Sequence, residues 1–255
     1  EYVLPGNVSS QFFTGLLFTL PLLNGDSTLM STTPLESRDY LEMTRQALAA
    51  AGVTTRWADE NTLCVPGGQV YQPFTATVEA DWSQAGFWYA ADFLDSQVEI
   101  RGLDPDSAQG DKVVSELYWK LARPGDAEID VSGCPDLLPP LAVMAAVRSG
   151  TTCFTNAARL RVKESDRLST VTEVLSALGA DIEEQADALV IRGREKLPGG
   201  VTVSGHNDHR IAMMAAIAAT RCEKPVTITG AECVKKSYPG FWEDYEKLGG
   251  QLTRA

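Results

Sequence analysis

Runs of small and branched apolar residues, each entered through a short polar or glycine-containing turn, dominate the pattern along this chain. They follow Asn7-Val8-Ser9-Ser10-Gln11, Asp81-Trp82-Ser83-Gln84, Gly133-Cys134-Pro135-Asp136 and Asn207-Asp208-His209-Arg210. Each starts with a capping residue type and continues apolar at nearly every position, which predicts helices buried on most sides. Tyr40–Gly52, Asp166–Gly179 and Phe241–Gly249 are instead amphipathic and end near glycine, and a strand-like stretch is expected after each. Strands are predicted at Gly25–Ser31, Ala76–Ala80, Gln97–Arg101, Thr151–Thr155, Leu189–Arg192, Val201–Val203 and Val226–Thr229. Short strands interleaved with helices indicate an α/β fold of small sheets covered by helices. The apolar helices recur at intervals longer than a solenoid repeat, so repeated α/β units are favoured. Pro66-Gly67-Gly68 through Pro73 is the hinge candidate, separating a small leading piece from a larger one.

Charge sharpens this picture. The 255 residues carry a formal net charge of −12, which argues against general nucleic-acid binding or attachment to an anionic membrane. Against that background, Arg159-Leu160-Arg161-Val162-Lys163-Glu164-Ser165-Asp166-Arg167 is a local concentration of cations. Arg159, Arg161 and Lys163 alternate with apolar residues as on one face of a strand, and a helical pattern opens at Glu164–Arg167. Cations gathered at a helix start, with orphaned backbone N–H groups and the positive end of the dipole, suit a phosphate or carboxylate. A salt-bridged, solvated strand end has the same composition. Ser9, Ser10 and Gln11 offer neutral donors at another helix entry, where ordinary capping also accounts for a serine. Asp136 reads as an N-cap and Glu164 as a first-turn carboxylate when each is taken alone.

The five cysteines are scattered, odd in number and without CxxC spacing, which fits a reducing compartment and supplies no metal framework. Cys134, near Asp136, is read as a packing residue. No stretch reaches the length of a membrane span. The chain opens at Glu1 as if entering a structured unit midway, so a fragment or processed piece is expected.

Taken in order, Gly6-Asn7-Val8-Ser9-Ser10-Gln11-Phe12, Ser37 with Tyr40, Gln109-Gly110-Asp111, Pro135-Asp136, Arg161 through Arg167, Asn207-Asp208-His209-Arg210 and Lys236-Ser237-Tyr238-Pro239 resemble the 5-enolpyruvylshikimate-3-phosphate synthase family. The resemblance implies repeated βαβαββ units of the enolpyruvyl transferase type, in two domains with substrates between them. Residues 1–74 would be the last part of the N-terminal-side domain and 75–255 most of the C-terminal-side domain. The family's N-terminal portion, with a Lys, Arg residues and a Gly-containing loop that bind both substrates, has no counterpart here, so an incomplete site is expected. The implied reaction moves the enolpyruvyl group of phosphoenolpyruvate onto the 5-hydroxyl of shikimate 3-phosphate and releases phosphate, in aromatic amino-acid biosynthesis.

Carried over motif by motif, Glu164 would protonate the phosphoenolpyruvate methylene carbon and Asp136 would orient or deprotonate the attacking hydroxyl. Arg167 and Arg210 would hold the phosphoenolpyruvate carboxylate and Lys236 its phosphate. Ser9, Ser10 and Ser37 would bind the shikimate phosphate, with Gln11, Tyr40, Asp136 and Lys163 around the ring. His209 would belong to the site, and Arg159 stands where some relatives use a neutral amide. No cofactor, metal, nucleic acid or membrane is implied. A cytoplasmic, monomeric full-length protein is expected, whereas a fragment exposing surfaces normally covered has a route to self-association. Two alternatives stand beside this reading: a UDP-N-acetylglucosamine enolpyruvyl transferase, and a noncatalytic anion-binding fragment.

Overall fold

The computed structural model describes Glu1–Glu36 and Arg38–Arg254. These residues form two compact units, one from Glu1–Ala80 with Asp104–Gly110, the other from Asp81–Leu103 with Asp111 onward. The chain crosses between the units at Ala80/Asp81 and on both sides of Asp104–Gly110.

The first unit runs β1 (Tyr2–Leu4), α1 (Ser10–Thr19), β2 (Ser27–Ser31), α2 (Arg38–Ala50), β3 (Arg56–Trp57) and β4 (Thr62–Val65). Its sheet has the order β1-β2-β4-β3, with β1 and β2 parallel, Tyr2 opposite Leu29, and the other pairings antiparallel. Alternate β2 residues Ser27, Leu29 and Ser31 are buried, as a strand with one covered face requires. Leu29 meets Phe13, Leu17, Leu41, Leu48, Leu63 and Val65 in a core shared by sheet and helices. Burying each leucine side chain is worth roughly 2 kcal/mol.

The expected hinge at Pro66–Pro73 is tied into this unit. Gly68 N donates to Leu23 O (2.5 Å) and Gln69 N to Pro21 O (2.9 Å). Gly67 sits so close to the facing chain that a Cβ there would meet the Gly25 carbonyl oxygen at 2.3 Å.

The second unit opens with α3 (Trp82–Ala91) and α4 (Val114–Ala122). A full βαβαββ unit follows: β5 (Ala127–Asp130), α5 (Leu138–Val147), β6 (Thr151–Thr155), α6 (Arg167–Leu178), β7 (Asp181–Glu184) and β8 (Leu189–Arg192). Its sheet, β5-β6-β8-β7, repeats the arrangement of the first, with β5 and β6 parallel and antiparallel pairings beyond. Then come β9 (Leu197–Gly199), β10 (Thr202–Ser204), α7 (His209–Ala219), β11 (Cys222–Lys224), β12 (Thr227–Thr229) and α8 (Phe241–Lys247), with β10 parallel to β12 and β9 parallel to β11. The apolar helices α3, α5 and α7 pack on one another. Leu138–Ala146 of α5 and His209–Ala218 of α7 are entirely buried, which accounts for their lack of a polar face.

Three sequence expectations fail here. Ala76–Ala80 and Gln97–Arg101 are not strands. In the two complete units the second helix leads into an antiparallel hairpin, β3–β4 or β7–β8, but after α4 only Arg123–Asp126 precede β5, so these segments have no hairpin to pair with. No strand follows α8 among the described residues. Ala158–Val162 is a 3-10 helix, with Leu160 N bonded to Ala157 O (2.9 Å), so Arg159, Arg161 and Lys163 do not share a strand face. No helix among the described residues is long and apolar enough to cross a membrane.

Candidate functional site

In the second unit the starts of the buried helices converge on one network of charges. Asp136 lies in the 3-10 turn Pro135–Leu137 that leads into α5, where Pro139 and Pro140 occupy the first turn without losing a ladder bond. Arg167 is the first residue of α6, whose cap, Asp166, accepts from Ser169 N (3.2 Å). Arg210 is the second residue of α7, whose cap, Asp208, accepts from Arg210 N (2.9 Å).

Arg167 is fully buried and spends its guanidinium on three carboxylates: Nη1 on Asp136 (2.7 Å), Nη2 on Glu164 (2.6 Å) and Nε on Asp208 (2.9 Å). Asp208, also fully buried, accepts as well from Ser165 Oγ (3.0 Å). Arg210 Nη2 reaches Asp136 Oδ2 (3.2 Å) and Ser83 Oγ (3.1 Å), while Lys163 Nζ lies 3.6 Å from Asp136. Such buried charges persist only when paired and hydrogen-bonded on several sides.

Burial pushes the Asp136 carboxyl up, but Arg210, Lys163 and Arg167 outweigh it and hold the group far below the usual carboxylate range. Asp208 is lowered too, its burial outweighed mainly by Arg167. Burial, helped by the charges of Arg159 and Arg167, lowers Lys163 despite the pull of Asp136. His209 is lowered by burial and by Arg210, which keeps its imidazole neutral at pH 7. Its Nδ1 is buried, 3.9 Å from Asp208, without a hydrogen-bond partner. Glu164 has 45% of its side chain exposed, so it is the carboxylate most easily released from Arg167.

Other predicted residues are placed as follows. Lys236, exposed at the end of the 3-10 helix Ala231–Lys236, donates to the carbonyl oxygen of Asn207 (2.5 Å), a residue in the left-handed region. Arg161 turns away to clamp the β7–β8 hairpin, bonding Glu184 (2.7 Å), Gln185 O (2.7 Å), Ala186 O (3.0 Å) and the α6 cap Asp166 (3.0 Å). Cys134 is inert: burial and the nearby Asp111, Asp130 and Asp136 push its thiol up to about 12. Asp208 was missed as a site residue. It lies inside the Asn207–Arg210 motif, but its bond to Arg167 joins residues 41 apart in sequence.

In the first unit, Ser9 caps α1 by accepting from Gln11 N (3.2 Å), which leaves its hydroxyl proton for another acceptor. Ser10 is buried, Gln11 exposed, and Tyr40 half-buried in the first turn of α2. Ser37, assigned above, lies outside the described residues. Among the described residues no group of three or more His, Cys, Asp or Glu is placed to hold a metal ion. A cavity of about 440 Å³ lies among Trp88, Ile217, Tyr245 and Leu248, toward the C-terminal ends of α3 and α7. No charged side chain lines it, so it is no anion site.

The chain overlays on the enolpyruvyl transferase NikO from Streptomyces tendae with a TM-score of 0.68 at 17% identity, a likeness of fold alone, over 92% of this chain and 58% of that one. An EPSP synthase from Acinetobacter baumannii overlays more fully, with a TM-score of 0.80 and 25% identity over 98% of this chain and 62% of that one. Residues 3–245 match the family EPSP synthase (3-phosphoshikimate 1-carboxyvinyltransferase), and the chain belongs to that family. Relatives named 3-phosphoshikimate 1-carboxyvinyltransferase from Clostridium kluyveri and Clostridium acetobutylicum are 44% and 46% identical, over 99% and 98% of this chain. The chain spans 62% and 61% of their respective lengths.

Proposed function

We infer that the protein of which this chain is at least a part transfers the enolpyruvyl group of phosphoenolpyruvate to the 5-hydroxyl of shikimate 3-phosphate, in the cytoplasm and without a cofactor. The observation that carries the reading is the Asp136–Arg167–Arg210–Lys163 network at the starts of α5, α6 and α7. In it every cation is already opposed by a protein carboxylate, so an incoming anion exchanges with Asp136 and Glu164 rather than meeting bare charge. Arg167 and Arg210 suit a substrate carboxylate because the guanidinium fork matches its two oxygens. Lys236 meets the phosphate as a compact charge.

Addition joins the acceptor oxygen to C2 of phosphoenolpyruvate, while Glu164 delivers a proton to the methylene carbon and Asp136 draws the hydroxyl proton. Elimination then removes a proton from that carbon and expels phosphate. Asp136, held ionised by its cations, is a weak base at rest. Sharing Arg210, Lys163 and Arg167 with a bound anion raises its basicity when it is needed. Fixed cations stabilise the charge that develops in the tetrahedral intermediate. Ser9, Ser10, Ser37, Gln11 and Tyr40 suit the phosphate and ring of shikimate 3-phosphate, and His209 stands next to Arg210. The 255-residue chain on its own is expected to bind anions with little or no turnover.

Phosphate release from phosphoenolpyruvate, measured with shikimate 3-phosphate or UDP-N-acetylglucosamine as acceptor in a protein extended to the relatives' full length, tests this. Release with shikimate 3-phosphate alone is expected; release with only the nucleotide sugar overturns it.

A further inference from the structure

One helix start flagged by the sequence has no part in the chemistry above. Asp81 caps α3, accepting from Ser83 N (2.8 Å) and Gln84 N (3.2 Å), much as Asp208 caps α7. Two residues past Asp81 is Ser83; two past Cys134, which precedes the turn into α5, is Asp136; two past Asp208 is Arg210. Because α3, α5 and α7 pack on one another, the repeat brings these matching positions together: Arg210 Nη2 bonds both Asp136 Oδ2 and Ser83 Oγ. Ser83 is only 6% exposed, so no water replaces it freely.

Gln84, the next residue, is 9% exposed and donates from Nε2 to Ser237 Oγ (2.5 Å), beside Lys236. Its Oε1 is buried without a hydrogen-bond partner. Exchanging the two amide atoms only changes which of them is orphaned. A buried amide with one end unpaired costs the fold stability, so its retention at this place is not explained by packing alone.

We propose that Ser83 and Gln84 are positioning residues for the anion site, resting on the function inferred above. Ser83 fixes the plane of the Arg210 guanidinium, whose other partners, Asp136 Oδ2 and the Asp136 carbonyl at 3.4 Å, lie on one residue. Gln84 ties the exposed Ser237 to the rigid start of α3 and thereby sets the reach of Lys236. The start of α3 therefore tunes the two ends of a phosphorylated carboxylate separately.

Calorimetric titration of the 255-residue chain with pyruvate, which has only the carboxylate, and with inorganic phosphate separates the two. Ser83→Ala is expected to weaken pyruvate about tenfold and leave phosphate unchanged, and Ser83→Thr to restore pyruvate. Gln84→Leu is expected to weaken phosphate about tenfold and leave pyruvate unchanged. Denaturant midpoints measured alongside identify a variant that is merely misfolded, which would lose both anions together. Wild-type affinities in both variants, or parallel loss of both anions in each, overturn the proposal. A wild-type chain that binds neither anion overturns this proposal, whereas the functional reading beneath it fails only if the full-length protein does not release phosphate with shikimate 3-phosphate.

Discussion

At the start of α1 a serine hydroxyl caps the helix and the neighbouring donors are neutral; at the start of α7 a fully buried carboxylate caps the helix and also holds Arg167. Both helices are apolar runs entered through a polar turn, and in both the cap side chain accepts from a first-turn N–H. They differ in what must be satisfied before a ligand arrives. Ser9 needs only water or an anion, and its residue is not fully buried. Asp208 needs Arg167, which needs Asp136 and Glu164, and Asp136 needs Arg210 and Lys163. The same local device therefore gives a nearly independent cap in the first unit and a linked network of charges in the second.

The comparison breaks first, if at all, at Asp208. Asp208→Ala leaves Arg167 buried with fewer acceptors and removes the α7 cap, and should cost about 3–5 kcal/mol of stability by urea denaturation. A loss of about 1 kcal/mol would reduce Asp208 to an ordinary cap. Asp136 is the next point of stress. Its folded pKa is depressed, so the stability it contributes is present above its unfolded value near 3.8 and is lost as pH falls toward the lower folded value. Wild-type stability should therefore decline below about pH 4 by about 2 kcal/mol more than that of Asp136→Asn, read from denaturation midpoints across acid pH. Equal slopes would mean that the carboxylate is not held ionised by its neighbours. Ser9→Ala should have the smallest effect, about 1 kcal/mol, with no change in acid sensitivity. A larger loss would show that the first unit also contains a coupled network.

What the sequence disclosed follows the same division. Helix starts were legible because a capping residue followed by an unbroken apolar run has few other meanings, and α1, α3, α5 and α7 all begin where that signal stands. Ala76–Ala80 and Gln97–Arg101 carry β-branched residues, but a strand is a relation between segments, and Arg123–Asp126 leaves no room for the hairpin that would complete it. Alternation in Arg159–Lys163 suggested a strand over a stretch too short to distinguish period two from a 3-10 turn. Only the fold shows that Arg161 leaves the cluster for the β7–β8 hairpin while Lys163 stays with Asp136. Asp136, Lys163, Arg167 and Arg210 were named from motifs, and they meet through side-chain bonds between distant segments. Ser83 and Asp208 escaped because each reads alone as routine polarity at a helix start. Their meaning lies in the partners that the packed helices bring to them.

The most direct test is a calorimetric titration of phosphoenolpyruvate into the wild-type chain and into Arg210→Ala. The account predicts saturable binding that weakens about 30-fold or more in the variant, the scale expected for removing one partner of a buried, hydrogen-bonded charge pair. Equal affinity in the two proteins would contradict it, because the network at the starts of α5, α6 and α7 would then be holding the fold together without receiving the substrate.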